Sequence, residues 1–207
     1  MPDTTRTFVA VAVPDALAPR LRRLQQGLAP DMPEAKWVDA PPFHVTLAFL
    51  GDVPHAELND VCKAVAEVCA GFPPLELSLE AVGAFPDRAR PRVIWTGVAG
   101  AGLDGLLRLQ ATVAAAVARV GYPTDSRPFH PHVTLAHIKT GKDRGRRGPS
   151  LVPRDVTPLL ERRRTWSAGP FRVVEAVTFA STLNPDGPVY TPLARAPLKF
   201  KGDAGAS

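Results

Sequence analysis

Hydrophobic and polar positions along this chain alternate with two periods, which predict strands and helices in an irregular order. The stretches RTFVAVAV (residues 6–13) and FHVTLAFL (residues 43–50) are rich in β-branched and aromatic residues and predict buried strands. Residues 75–85 alternate between apolar and polar side chains, as a half-buried strand does. Further strands are predicted at residues 92–98, 132–138, 171–182 and 188–198, of which the last two form a closing pair.

Apolar residues at helical spacing fill most of the intervals between these strands. They recur every three or four positions from Leu17 to Leu28 and again after Pro54, and the longest such segment runs from Leu103 to Val120. A short basic helix is predicted within residues 153–164. Helices and hairpin-like strand pairs in this order predict an α+β fold with largely antiparallel sheets.

Length and composition narrow the class of protein. The chain has 207 residues, of which 45% are hydrophobic and 22% charged, values that fit one globular domain, which could consist of two similar lobes. We assign residues 1–200 to this domain and residues 201–207 to a flexible tail. The sequence has no apolar run of about 18 residues and no signal-peptide pattern. Its two cysteines are predicted to be reduced thiols, which favours a cytoplasmic protein. Nothing in it indicates an obligate dimer, so a monomer is expected.

The positive charge of the chain is concentrated in one window. The formal net charge is +5, and the window from Lys139 to Arg164 contains nine Lys or Arg residues against three Asp or Glu. Such a window could border a site and attract phosphate groups, or it could be a solvated loop. Both interpretations stay open, and the first predicts an anionic partner such as RNA.

One short motif occurs twice. The sequence His-Val-Thr-Leu begins at His44 and again at His132, 88 residues later, and each copy follows a phenylalanine and a proline within a predicted strand. Only five histidines are present in the chain, so an accidental repeat that contains one is improbable. The repeat predicts two similar lobes, each with one His-x-Thr strand.

The spacing within the motif indicates acid/base chemistry. Residues i and i+2 of a strand project from the same face, so His44 and Thr46 point together, as do His132 and Thr134. If the two strands lie side by side, they place two imidazoles and two hydroxyls in one groove. A neutral histidine can take a proton from water while a protonated one gives a proton to a leaving oxygen, because the ordinary pKa of histidine is near ~6.5. The threonines can donate hydrogen bonds to phosphate oxygens. This chemistry requires no metal ion and no cofactor.

Other interpretations of the histidines remain. His130 and His132 have a spacing that could ligate zinc, although Pro131 lies between them and no Asp, Glu or Cys occurs in the cluster. Histidines in apolar strands can also be satisfied core residues. A serine hydrolase is disfavoured because the Gly-x-Ser-x-Gly motif is absent.

With these motifs in place, the chain resembles the 2H phosphoesterase superfamily, and within it the RNA 2′,3′-cyclic phosphodiesterases, also known as 2′-5′ RNA ligase-like proteins. The resemblance extends over nearly the whole chain. Beyond the N-terminal RTFVAV, the matching stretches are FHVTLAFLGDV (43–53), GAFPDRARPRVIWTGV (83–98), RPFHPHVTLAH (127–137) and STLNPDGPVYTPLARAPL (181–198).

The resemblance implies a fold and a reaction. The fold would consist of two pseudo-twofold-related lobes of antiparallel sheet, with outer helices, around a central groove. The reaction would be the hydrolysis of a 2′,3′-cyclic phosphate at an RNA end to a 2′-phosphate, with weak 2′-5′ ligase activity in some relatives. By this resemblance His44 is the proton donor to the 3′-oxygen, His132 is the proton acceptor from water, and Thr46 and Thr134 hold phosphate oxygens.

Further residues are predicted to bind substrate. His137 stands where the family often has an arginine that contacts phosphate, but in an unbroken strand it would face away from His132, so this role requires a β-bulge. A phenylalanine at position 43 could stack on a base. The three tryptophans are too scattered in the sequence to predict a stacking platform. The other predicted substrate contacts are His130, Tyr190, Arg127 and Arg92.

Two rival functions stay open. One is a 2H enzyme that acts on a small cyclic phosphate, such as a cyclic phosphate of ADP-ribose. The other is a protein that binds RNA ends without turnover. Shortening a model RNA to one nucleotide would separate the first rival from an RNA enzyme, and product formation would exclude the second.

Overall fold

The computed structural model describes residues 3–39, 42–124, 127–138, 155–184 and 187–199. The tail predicted at residues 201–207 and most of the basic window lie outside these ranges. Within them the strands are β1 (Thr4–Ala12), β2 (Ala35–Trp37), β3 (His44–Pro54), β4 (Leu75–Phe85), β5 (Val93–Ala99), β6 (His132–Ile138), β7 (Ser167–Val173), β8 (Glu175–Asn184) and β9 (Gly187–Pro197). The α-helices are α1 (Ala18–Leu28), α2 (Leu58–Cys69), α3 (Leu103–Arg119) and α4 (Thr157–Glu161).

The strands form two antiparallel sheets. The four-stranded sheet has the order β3-β1-β8-β9, and the five-stranded sheet has the order β2-β6-β5-β4-β7. Each sheet contains one His-x-Thr strand, β3 in the first and β6 in the second, and these two strands contact each other. The predicted α+β fold with largely antiparallel sheets is therefore confirmed.

The helices cover the sheets with their apolar faces. Helix α1 buries Leu21, Leu24 and Leu28 in the same core as Val133 and Leu135 of β6. Val133 lies between the histidine and the threonine of the second motif, and Leu135 follows that threonine. The alternation predicted for a strand thus turns the aliphatic residues of the motif inward and leaves its polar residues for the other face. Within the described residues, no helix is both long enough and apolar enough to cross a membrane.

One predicted strand is wrong in its bounds. Residues 171–182 were predicted as a single strand, but Phe171 and Val173 belong to β7 and pair with β4, whereas β8 begins at Glu175 and pairs with β1 and β9. Val174, between them, is 52% exposed. The chain crosses there from one sheet to the other, and because no glycine or proline marks the crossing, the apolar pattern reads through it. Strand β2 was also missed, since three residues are too few to show a period.

The two His-x-Thr strands share an irregularity. In the pairing of β3 with β1, Thr46 and Ala48 oppose consecutive residues, so Leu47 is an extra residue. In the pairing of β6 with β5, Thr134 and Ala136 oppose consecutive residues, and Leu135 is the extra residue. These β-bulges lie at equivalent positions of the repeat. Because a bulge places two residues opposite one residue of the partner strand, the side chains that follow each motif point to the opposite faces from those that an unbroken strand would give them.

Candidate active site

A groove between the two sheets brings the repeated motifs together. Its volume is about 90 Å³, several times the roughly 10–15 Å³ that one water molecule requires, so a phosphate-sized group fits. His44 and Thr46 line it from one side, and His132 and Thr134 line it from the other. The remaining lining residues are Val38, Pro42, Phe43, His137 and Tyr190.

Both histidine rings are held in the same way. Nδ1 of His44 lies 2.9 Å from the carbonyl oxygen of Pro42, and Nδ1 of His132 lies 2.7 Å from the carbonyl oxygen of His130. A carbonyl oxygen only accepts hydrogen bonds, so Nδ1 is the donor and carries a hydrogen in each ring. This contact leaves Nε2 of each histidine free to take or give a proton.

The environment lowers the pKa of both histidines. Burial is the main cause for His44, the hydrogen bond to Pro42 opposes it, and the positive charge of His132 lowers the pKa further. For His132 burial again dominates, with the hydrogen bond to His130 opposing it and the charge of His130 adding to it. Because each positive charge disfavours the other, the groove favours one protonated and one neutral histidine over two protonated ones.

Aromatic residues support both rings in a matching manner. The ring of His44 lies 5.2 Å from Tyr190 in an edge-on arrangement and 5.0 Å from Phe8. The ring of His132 lies 5.0 Å from Phe85, also edge-on. These contacts restrict the orientation of each imidazole, because rigid aromatic rings pack against it.

Phe85 and Trp95 were missed as site residues by sequence reasoning. Phe8 and Trp95 lie on the central strands that neighbour the two motifs, where β1 pairs with β3 and β5 pairs with β6. Trp95 is 4.7 Å from His130 and 6.2 Å from His132, measured between ring centroids. Its Nε1 is buried without a hydrogen-bond partner among the described residues. Same-face positions on a neighbouring strand could have suggested these residues, but only once the register was known.

The indole of Trp95 occupies space that a glycine leaves open. Gly83 of β4 pairs directly with Trp95 of β5. A Cβ atom at position 83 would lie 2.2 Å from two atoms of the indole ring, far inside contact distance. The placement of Trp95 beside His130 and His132 therefore depends on glycine at this position.

The two threonines are available to a ligand. Thr46 and Thr134 are half-buried and line the groove. Neither hydroxyl has a hydrogen-bond partner in the part of the chain that the structure describes. Each can donate to an oxygen of a bound phosphate, in the same relation to its histidine in both lobes.

The bulge required for His137 is present. Because Leu135 is the extra residue in β6, His137 returns to the face of Thr134 and lines the groove, where it is exposed. Burial of part of the ring and the charge of Lys36 on β2 lower its pKa. The position is therefore suited to a substrate contact, although the contact itself stays a prediction.

The other predicted substrate residues differ in their placement. Tyr190 lines the groove. His130 is exposed, with its ring against Trp95, and is not among the described residues that line the groove. Phe43 lines the groove, is 7% exposed and packs in the main core, and its stacking on a base stays a prediction. Arg92 and Arg127 are exposed and are not among the described residues that line the groove.

Metal ligands are not grouped in the described part of the chain. No three His, Cys, Asp or Glu residues lie close enough together there to hold a metal ion. His130 and His132 are neighbours, but the Nδ1 of His132 is already bonded to the backbone of His130.

Two antiparallel sheets, each presenting a His-x-Thr strand to a shared groove, define a 2H phosphoesterase. A family model described as "LigT like Phosphoesterase" matches residues 11–95 and 98–190, and the chain belongs to this family. The match includes both copies of the motif.

Known relatives and a solved structure agree with this assignment. The chain is 36% identical over 157 residues to the RNA 2′,3′-cyclic phosphodiesterase of Aquifex aeolicus, covering 75% of this chain and 78% of that protein. It is 36% identical over 135 residues to the protein of the same name from Geobacillus stearothermophilus, covering 65% of this chain and 42% of that protein's length. A crystal structure of TT0787 of Thermus thermophilus superimposes with a TM-score of 0.74 at 28% identity, covering 95% of this chain and 99% of the other.

Proposed function

We propose that this phosphoesterase hydrolyses RNA ends that carry a 2′,3′-cyclic phosphate and leaves a 2′-phosphate and a 3′-hydroxyl. The observation that supports it most directly is the groove itself, in which two partly buried histidines share one tautomer. Beside them lie two threonine hydroxyls that have no hydrogen-bond partner among the described residues. The names of the Aquifex and Geobacillus relatives indicate the same substrate.

In the proposed reaction the two histidines have opposite roles. Nε2 of neutral His132 takes a proton from water as the water oxygen forms a bond to phosphorus. The bond between phosphorus and the 3′-oxygen breaks, and Nε2 of protonated His44 gives its proton to that oxygen. The lone pair of the water oxygen becomes the new P–O bond, and the electrons of the broken bond remain on the 3′-oxygen. Which histidine is acid and which is base follows the family resemblance.

The threonines act on the charge that develops at phosphorus. As phosphorus becomes five-coordinate, negative charge grows on its non-bridging oxygens, and donors fixed in a buried groove stabilise that charge better than water does. Thr46 and Thr134 lie one on each side of the groove and can each donate one hydrogen bond. No step in this mechanism needs a metal ion or a cofactor, so metal independence is part of the proposal.

The proposal is tested with a short RNA that ends in a 2′,3′-cyclic phosphate, in the presence of EDTA. We expect a 2′-phosphate product from the wild type and a rate loss of about 10²–10⁴-fold in His44→Ala and in His132→Ala, the usual contribution of one acid or base. His55→Ala is the matched control, because His55 is outside the groove and bonds Thr5 at 2.9 Å. Loss of turnover in EDTA, or full activity in either groove variant, would refute the mechanism.

Substrate length decides between RNA and a small cyclic phosphate. The same product analysis with a mononucleoside 2′,3′-cyclic phosphate gives the comparison, and we expect a higher kcat/KM for the longer RNA. Equal values would favour the small-molecule rival. Weak 2′-5′ ligase activity, the monomeric state and the cytoplasmic location remain predictions from the sequence.

A further inference from the structure

A second pocket lies outside the groove and contains three arginines. It is formed by one face of α1 and by the segment that follows α4, and its volume is about 320 Å³. None of its lining residues lines the groove. We call it the arginine pocket; its lining residues are Arg20, Arg23, Leu24, Gly27, Arg163, Trp166 and Ser167.

Two of the guanidinium groups are held in place by the backbone. Arg20 donates a hydrogen bond to the carbonyl oxygen of Ala168, and Nη2 of Arg163 lies 3.4 Å from the carbonyl oxygen of Gly27. A guanidinium has five N–H donors, so each of these contacts leaves most of the donors free. The contacts reduce the freedom that the two side chains would lose on binding a ligand.

Glycines make room for these two arginines. A Cβ atom on Gly169 would lie 2.7 Å from Nη1 of Arg20, and one on Gly27 would lie 3.3 Å from Nη2 of Arg163. Gly169 also has a φ of +86°, a conformation that favours glycine. Glycine in a helix such as α1 is otherwise unfavourable. Both positions thus leave open the space that a guanidinium needs.

Within the described residues, the three arginines of this pocket have no acidic partners, whereas two of their sequence neighbours do. Arg22 forms an ion pair with Asp39 at 2.5 Å, and Arg162 forms one with Asp31 at 3.2 Å. Arg20, Arg23 and Arg163 have no carboxylate within ion-pair distance among the described residues. Three positive charges around one concavity repel one another, and their combined field attracts an anion.

We propose that the arginine pocket is a second anion site, which binds phosphate groups. Planar guanidinium groups match the geometry of phosphate oxygens and can bind them in pairs of hydrogen bonds. The pocket is large enough for a phosphate together with part of a nucleoside, and Trp166 in its wall offers an apolar surface beside the charges. An RNA backbone and a free mononucleotide supply the same chemistry, and the experiment separates them.

Two of the three tryptophans allow the two sites to be observed at the same time. Trp166 lines the arginine pocket and Trp95 lies beside His132, so their indole N–H signals in a ¹⁵N-labelled sample report on different sites. The Trp166→Phe variant assigns the first signal. The probes are inorganic phosphate, AMP and a single-stranded RNA of eight nucleotides with a 3′-hydroxyl, which is not a substrate of the proposed reaction.

We expect a saturable shift of the Trp166 signal. Saturation by the RNA at a much lower concentration than by AMP would identify the RNA backbone as the ligand, and equal concentrations would identify a single nucleotide. Movement of the Trp95 signal alone, or no saturable movement of the Trp166 signal with any probe, would overturn the proposal.

Charge variants give the matched comparison. Arg23→Gln combined with Arg163→Gln should weaken the binding seen at Trp166 by about tenfold or more, because two charged donors to phosphate are lost. Arg22→Gln combined with Arg162→Gln removes the same charge from adjacent positions and should leave it within about twofold. Arg20 is kept, since its bond to Ala168 supports β7. Equal weakening of binding in both double variants would show a general effect of charge and would contradict a specific site.

Turnover in the groove provides an independent readout. Neither double variant touches the groove, so kcat on a mononucleoside cyclic phosphate should be unchanged in both. The arginine pocket can therefore fail its test while the proposed function holds, and the reverse is equally possible.

Discussion

Gly83→Ala tests whether the aromatic support of His132 matters for catalysis. The Cβ of alanine would lie 2.2 Å from the indole of Trp95, and ordinary contact begins at 3.4 Å. The ring must therefore retreat by about 1.2 Å, or the strands β4 and β5 must separate by as much. The three atoms nearest the new methyl group all belong to the six-membered part of the indole, so no flexible chain end can give way.

The displaced ring would press on the site. Its centroid is 4.7 Å from that of His130 and 5.0 Å from that of Phe85, both of which adjoin His132. A misplacement near 1 Å can reduce a rate by about 10²-fold. Overpacking of this kind also lowers the free energy of unfolding by roughly 1–3 kcal/mol, which for a chain of this size lowers Tm by a few degrees.

The assay is steady-state turnover of an RNA cyclic phosphate together with thermal unfolding. We expect kcat to fall more than KM rises, because the chemistry at His132 is affected while most substrate contacts remain. Gly71→Ala is the control, since its Cβ would lie 3.5 Å from the nearest atom, in ordinary contact. It should change neither kcat nor Tm appreciably.

A double variant makes the reasoning refutable. Trp95→Phe removes the six-membered ring of the indole, which the new methyl group would meet. In the Trp95→Phe background, Gly83→Ala should therefore cause little further loss of kcat. If the two losses were simply additive, the effect of Gly83→Ala would not act through Trp95. An unchanged kcat in Gly83→Ala would refute the catalytic importance of this contact altogether.

Three further predictions concern the groove. Because the pKa values of His44 and His132 both lie below 6.5, the free enzyme with one protonated histidine should be most abundant below pH 6.5, and kcat/KM should peak there. In the substrate complex the negative charge of the phosphate raises both pKa values, so kcat should peak at a higher pH. Thr46→Val and Thr134→Val should each lower the single-turnover rate by about 10²–10³-fold, as loss of one donor to a developing charge does. His137→Gln should raise KM several-fold at pH values where His137 is protonated. It should have little effect at higher pH, where position 137 is uncharged in both the wild type and the variant.

Each of these has an outcome that contradicts it. Coincident pH profiles of kcat and kcat/KM would mean that substrate charge does not reach the histidines. A threonine variant with normal kcat and a raised KM would assign that hydroxyl to binding alone. A pH-independent effect of His137→Gln would exclude a role for its charge.

The sequence alone predicted the two motifs on which the proposed chemistry depends. The motif at His44 and Thr46 is repeated at His132 and Thr134. In each copy the histidine and the threonine point to the same face because side chains in a strand alternate with a period of two, and the aliphatic residue between them turns inward. The long helical segment α3 and the strand β4 were also found nearly to the residue, since a sustained period in either form needs no distant partner. Local pattern was sufficient wherever the burial of one face decides the structure.

The tertiary structure decided what depends on register and on distant partners. The bulges at Leu47 and Leu135 bring His137 into the groove, and they arise from the fit between neighbouring strands, which one strand's own pattern does not encode. The pairing of Gly83 with Trp95 also depends on the register between two strands, β4 and β5, and neither strand's own pattern predicts it. The arginine pocket joins Gly27 to Arg163 across 136 positions of chain, so its cations had no common signal in sequence. Packing of α1 against the segment after α4 alone brings them together, because contacts so far apart in the chain form only when the whole core assembles.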